Sequence, residues 1–291
     1  MTKKKIDFVR GVETKSDYDF NFFETFIIKD KERAIKSYDK WIYKKQNNIN
    51  IISKNRYTNE EVNIPIKKVA LGIRRASGLN ILNVSDKLDY IMIGYFKGIE
   101  NILSEKTLKN FKKRSKNWSK YVESRFGKFL ISRRFDLSAK GTNLLAFFSE
   151  MPTTGQNLWS LKEATEEEAK ILTIWFNSTL NLLQIYLQRI ETRGAWMEIN
   201  KGMINDFIIL NIDLLDEKQR HDILILFEEI QKIQYPSILE QLEYKFPTRI
   251  KMDKVILKLL GYEEKQIEEL IDNLYPELYN EIKLLKDLME G

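Results

Sequence analysis

Three observations predict an α+β fold, with a sheet-containing part running to about residue 211 and a helical module from residue 212 to 291. Short apolar runs broken by Gly, Ser and Asn fill the stretches Asn63 to Ile93 and Phe126 to Ser149, and such runs bounded by turn formers are strand signals. Glu163 to Ile190 has the length, the acidic start and the basic end of a helix. From Asp213 onward apolar residues recur at helical spacing. With 291 residues and 43% of them hydrophobic, the chain has material for one large domain or two smaller ones.

Taken in order, the first segment carries an aromatic cluster (Tyr18, Phe20, Phe22, Phe23, Phe26), expected in a core or strand. A helix is expected over Lys31 to Lys45, then a turn at Asn47, Asn48 and Asn50. IPIKKVALGIRRA, NILNVS and DYIMIGYF are expected strands, with a turn near Ser77 to Asn80 between the first two. Leu103 to Tyr121 is polar and basic, after which FGKFLISRRFDLSAKGTNLLAFFS returns to strand-like runs. The helix from Glu163 has apolar residues on more than one face, Ile171, Leu172, Trp175, Leu182, Leu183, Ile185 and Tyr186 among them, so burial is expected. A strand or two follow between Gly194 and Leu210. Beyond them, Ile223, Phe227, Ile230 and Ile233 mark a helix that Pro236 ends, and Pro276 is expected to interrupt the last one.

Charge is unevenly spread. The net charge is +6, yet Lys67 to Lys140 holds 18 basic and 6 acidic residues (net +12), and Asn205 to Gly291 holds 11 basic and 19 acidic (net −8). A basic middle suits a polyanion, and an acidic tail suits a module turned elsewhere. The chain has no cysteine, which excludes disulfides and thiolate chemistry and fits a reducing cytoplasm. Neither an apolar run of about 18 residues nor a signal-peptide core is present, so a cytoplasmic protein with no membrane partner is expected.

Reacting groups are scarce. No G-x-G-x-x-G or Walker-type loop occurs, and Gly94-Tyr95-Phe96-Lys97-Gly98 lacks the acidic strand end of a cofactor loop. His221 is the single histidine, which rules out histidine-cluster metal sites and reads as a solvated helix residue. Glu243-Tyr244-Lys245 has the Glu-x-Lys spacing of metal-dependent nucleases, a triplet that a chain with 31% charged residues produces often by chance. No catalytic, cofactor-binding or metal-ligating residue is therefore assigned.

Binding groups are plentiful. Lys109 to Tyr121 sets Lys112, Lys113, Arg114 and Lys116 around Trp118 and Tyr121, a pattern equally suited to phosphates and to a solvated helix. Arg74 with Arg75, and Arg133 with Arg134, are neighbours in expected strands, so one of each pair is expected to face a given groove. Lys140 extends the basic stretch. Thr153, Thr154, Gly155, Gln156 and Asn157 are expected to form a polar turn, structural or with amides suited to base edges, and Arg193 stands exposed in a turn before Trp196. Asn177 and Ser178, by contrast, read as buried polar groups serving the backbone.

The runs RRFDLSAKGTNLLAFFSE, TTGQNLWSL, ILTIWFNSTLNLLQIYL and TRGAWMEINKGMINDFIIL, in this order, resemble the portion that follows the catalytic domain in adenine-specific DNA methyltransferases of restriction-modification systems. RIKMDKVILKLLGY and the helices to Leu288 are similar to the helical end of those proteins; the likeness covers Trp118 to Leu288. It implies a target-recognition domain that binds duplex DNA and selects the methylated sequence. The family's Asn/Asp-Pro-Pro-Tyr/Phe motif is absent, since no two of Pro65, Pro152, Pro236, Pro247 and Pro276 adjoin. The resemblance therefore implies a recognition part that is not catalytic by itself, with S-adenosylmethionine on a separate methyltransferase domain or subunit. A metal-dependent nuclease and a protein-binding scaffold are the alternatives.

Overall fold

The computed structural model describes residues 8–11, 41–46, 50–55, 61–73, 75–98, 119–189 and 195–290. Their strands are β1 (Phe8–Arg10), β2 (Trp41–Gln46), β3 (Asn50–Asn55), β4 (Glu61–Pro65), β5 (Val69–Ile73), β6 (Asp89–Met92), β7 (Gly127–Ser132), β8 (Arg134–Asp136), β9 (Ala146–Gly155), β10 (Leu158–Leu161) and β11 (Trp196–Glu198). The helices are α1 (Glu166–Asn177), α2 (Thr179–Leu187), α3 (Lys201–Asp206), α4 (Glu217–Ile230), α5 (Ile238–Glu243), α6 (Pro247–Leu259) and α7 (Glu264–Glu290). The fold is α+β, with β1 to β10 ahead of α1 and a helical C-terminal region after β11.

A six-stranded sheet of order β1-β10-β7-β9-β5-β6 forms the frame, with β8–β11 and β2-β3-β4 as smaller sheets. Pairing in the frame is antiparallel except between β5 and β9. Its apolar face is set by register: Phe8, Leu161, Phe129 and Phe148 stand opposite one another on successive strands. Residues in register share a face, and α1 and α4 cover this one. Phe176 of α1 lies 5.2 Å from Phe129, and Phe227 of α4 meets Phe148 edge-on at 5.4 Å. One apolar cluster thus runs from Phe8 to Leu285 in α7.

Several sequence expectations about helices need correction. Glu163 to Ile190 is not one helix: α1 ends at Asn177, Ser178 is extended (ψ 158°), and α2 begins at Thr179. The Ser178 hydroxyl donates to Trp175 O at 2.7 Å and accepts from Asn181 N, so one side chain closes one helix and caps the next. Conversely, Pro276 does not interrupt the last helix, which is continuous for 27 residues. Proline removes one backbone bond, but Ile267, Ile271, Tyr275, Leu278 and Ile282 are buried along one helical face and carry the helix through.

The expected helix over Lys31 to Lys45 ends in strand β2 where it is described, and Ile233 lies beyond α4, partly exposed. NILNVS forms no full strand; its residues 82–84 run beside β9, with Phe148 N bonded to Leu82 O and Val84 N to Phe148 O. The aromatic cluster of residues 18–26 lies outside the described residues.

Candidate nucleic-acid interface

β7 lies between β9 and β10 in the sheet, so the residues linking those two strands, Gln156 and Asn157, carry the chain across it. This makes the link a meeting point. Gln156 N donates to Ile73 O at 3.3 Å, Arg133 N to Asn157 O at 2.8 Å, and Gly11 N to Leu158 O at 2.8 Å. Three segments distant in sequence are thereby tied to one turn, each bringing arginine: Arg75 just past β5, Arg133 between β7 and β8 with Arg134 opening β8, and Arg10 at the end of β1.

Close backbone approach fixes the turn. A Cβ at Gly155 would stand 2.4 Å from Ile73 O, and one at Gly11 would stand 2.2 Å from Gly155 O, distances no side chain tolerates. Asn157 adopts φ 55°, a left-handed conformation that asparagine accepts better than most residues.

Around this turn the electrostatics are arranged by one carboxylate. Arg133, at a bend that separates β7 from β8, is buried, and Arg134 is exposed. Both nonetheless reach Glu198 on β11, which stands opposite Arg134 in register. Arg133 Nη2 donates to Glu198 Oε1 at 2.5 Å, and Arg134 Nε lies 3.0 Å from Glu198 Oε2. Burial on its own would raise the Glu198 carboxyl, but hydrogen bonds from Arg134 and Arg133 outweigh it and hold the group below its ordinary value. Arg10 shares this field: burial first, then the neighbouring Arg133, pull its guanidinium below the usual arginine range, while Glu198 opposes them. Lys201 adds a cation near the same strands, donating to Phe8 O at 2.6 Å and lying 5.7 Å from the Trp159 ring centroid. Three arginines thus share one acidic partner.

The expected contact residues fall into three groups. Arg75, Arg134, Lys140 and Asn157 are exposed, and Gln156 is half-buried; Arg134, Gln156 and Asn157 belong to the turn cluster, Arg75 follows the strand that Ile73 O ties to it, and Lys140 stands beside the turn at Ser77 and Gly78, where Gly78 N donates to Gly141 O. Arg133 and Thr154 are buried, so neither side chain presents a contact surface in this fold. Arg133 is drawn inward by Glu198, and Thr154 by the β5–β9 pairing at Gly72: the expected turn over Thr153 to Asn157 is confined to Gln156 and Asn157, because Thr153, Thr154 and Gly155 end strand β9. Arg74, Lys112, Lys113, Arg114, Lys116 and Arg193 lie outside the described residues.

Asn177 and Ser178 serve the frame. Asn177 Oδ1 accepts from Leu145 N and Ala146 N, which anchors the start of β9 to the end of α1. Two members of the cluster escaped sequence reasoning, Arg10 and Glu198. Arg10 sits in a short basic N-terminal run with no patterned neighbours, and Glu198 becomes visible as a partner only once β11 pairs with β8.

The remaining candidates engage elsewhere. Lys245 pairs with Asp272 at 2.5 Å, and Glu243 accepts from Tyr279 at 3.2 Å. Among the described residues no group of three or more acidic or histidine side chains could hold a metal ion, and no helix is long and apolar enough to cross a membrane. His221 is exposed on α4.

No protein-family model matches the chain, and no curated protein matches it. Among solved structures it is similar to the type IIG restriction endonuclease BpuSI, at 16% identity and a TM-score of 0.49. That likeness covers 78% of this chain and 26% of the endonuclease, so the chain spans about a quarter of that protein's length.

Proposed function

We propose that the chain binds duplex DNA through the arginine cluster around Gln156 and Asn157, as the recognition part of a restriction-modification adenine methyltransferase whose catalysis resides elsewhere. The observation that carries this is the tying of three separate segments, which carry Arg10, Arg75 and Arg134, to one turn that offers amide groups. Arginine forks match phosphate oxygens, and Gln and Asn match adenine edges. Positioned on paired strands, these groups can place phosphates and read bases together. Catalysis would then fall to a methyltransferase domain or subunit holding S-adenosylmethionine.

Fluorescence anisotropy with labelled duplex DNA over a salt series tests the binding. Affinity should fall steeply as salt rises, by about tenfold or more between 50 and 200 mM if several phosphates are contacted. Absence of binding even at low salt would remove the proposal. A methyltransferase partner should co-elute with the chain and methylate DNA in its presence.

A further inference from the structure

Glu198 is an acidic group at the centre of the arginine cluster, and simple charge counting makes it an obstacle to DNA. Geometry assigns it the opposite role. Its Oε2 takes the Nε of Arg134, the inner corner of the guanidinium, at 3.0 Å. The Arg134 side chain is 49% exposed, and among the described residues its two terminal amino groups have no partner. A guanidinium is planar with its donors in a fixed fork, so fixing Nε fixes the direction of the Nη edge. The other carboxylate oxygen is held by the buried Arg133, which fixes Glu198 in turn.

We propose that Glu198 is a positioning residue that aims the Nη edge of Arg134 outward to take two oxygens of one DNA backbone phosphate. The inference rests on the DNA-binding reading above. A phosphodiester fits this fork because its two unesterified oxygens accept two parallel N–H bonds. Arg10, in the same field, adds positive potential.

Anisotropy on a duplex over a salt series, with the intact chain and its variants, tests the proposal. Arg134→Ala should lose about tenfold in affinity, the scale of one bidentate contact, and Arg134→Lys should lose nearly as much because a point charge cannot replace the fork. The salt slope of Arg134→Ala should fall by about one. Glu198→Ala should lose about fivefold although it makes the site more positive, and Glu198→Gln, which keeps the size and one acceptor oxygen, should lose less. Arg134→Ala with Glu198→Ala should bind no more weakly than Arg134→Ala alone, because Glu198 acts through Arg134.

Tighter binding by Glu198→Ala would overturn the proposal, leaving Glu198 a repelling charge while the DNA-binding reading stands. A double variant that loses both factors would also overturn it, by showing that Glu198 supports the fold generally. An Arg134→Ala loss confined to certain sequences, with an unchanged salt slope, would move the contact from phosphate to a guanine edge. Failure of the unaltered chain to bind duplex DNA would remove the function and this inference together.

Discussion

Two arginine–carboxylate networks in this molecule use the same chemistry to opposite ends. On α6, Arg249 and Asp253 are buried, and their polar edges are met by protein: Arg249 Nε donates to Thr179 Oγ1 and Nη1 to Gln241 Oε1, both at 2.9 Å, while Asp253 accepts from Thr179 N at 2.7 Å and from Tyr275 Oη at 2.5 Å. Burial, and then the adjoining Asp253, push the Tyr275 hydroxyl up, so it remains a donor. Around Glu198, by contrast, one arginine is sealed and the next keeps its outer edge in solvent. A closed network spends its specificity on joining α2, α5, α6 and α7, whereas a half-open one leaves directed donors for a ligand. Completeness of pairing, more than the presence of charge, separates a structural cluster from a binding one.

The largest expected effect lies in the closed network. Asp253→Ala would strand the Tyr275 hydroxyl and the Thr179 N–H in the core, and each buried orphan costs about 1–3 kcal/mol, so stability should fall by about 3 kcal/mol. Urea unfolding followed by tryptophan fluorescence measures this. DNA affinity of the folded fraction should not change, and an unaltered unfolding midpoint would show that the network is dispensable. Asp253→Asn retains an acceptor for Thr179 N and should lose less.

Next in size is Gly155→Ala, at about 2 kcal/mol, because the new methyl meets Ile73 O at 2.4 Å and the surrounding strands must shift. This variant separates the clusters in a second way. Since the turn orients Gln156 and Asn157, DNA affinity should drop along with stability. Retained affinity would mean that the turn contributes nothing to the interface.

The stability effect of Glu198→Ala should be smaller, about 1 kcal/mol, because the Arg134 pair is exposed and screened and the buried Arg133 loses one acceptor from a carboxylate that is itself partly exposed. A loss as large as that of Asp253→Ala would place both clusters in the structural class. Paired with the affinity measurements, this ranking is the sharpest contrast between them.

How much of this was legible in the sequence depends on the range of the interaction. Helix α4 was readable because Ile223, Phe227 and Ile230 repeat at the spacing that buries one face, and all are buried. Asn177 and Ser178 were readable as backbone-serving groups because such side chains bond within a few residues of themselves. The break at Ser178 was not, because the same serine satisfies a continuous helix until Asp253, 74 positions on, takes the Thr179 N–H. The interface was half legible: its residue types stood out, but their meeting depends on β7 inserting between β9 and β10, and no local pattern encodes strand order. Of Arg133 and Arg134 one is buried and one exposed, as strand neighbours should be, but that both reach Glu198 depends on the β8–β11 pairing and was not legible.

The smallest effect is on pH response, and it tests the open cluster directly. The Glu198 carboxyl lies below its ordinary value of 4.5, with burial opposing and the two arginines prevailing. A carboxyl depressed in the folded state adds stability that is fully present above its unfolded value, about 4.3, and lost as pH falls through the lower folded value. Carbon-13 NMR of the carboxyl should therefore give a midpoint below 4.5 in the unaltered chain and a higher one in Arg134→Ala, where burial meets less opposition. An unchanged midpoint in that variant would mean that Arg133 alone sets the charge of Glu198. The carboxylate would then have no electrostatic bond to the arginine it is proposed to aim.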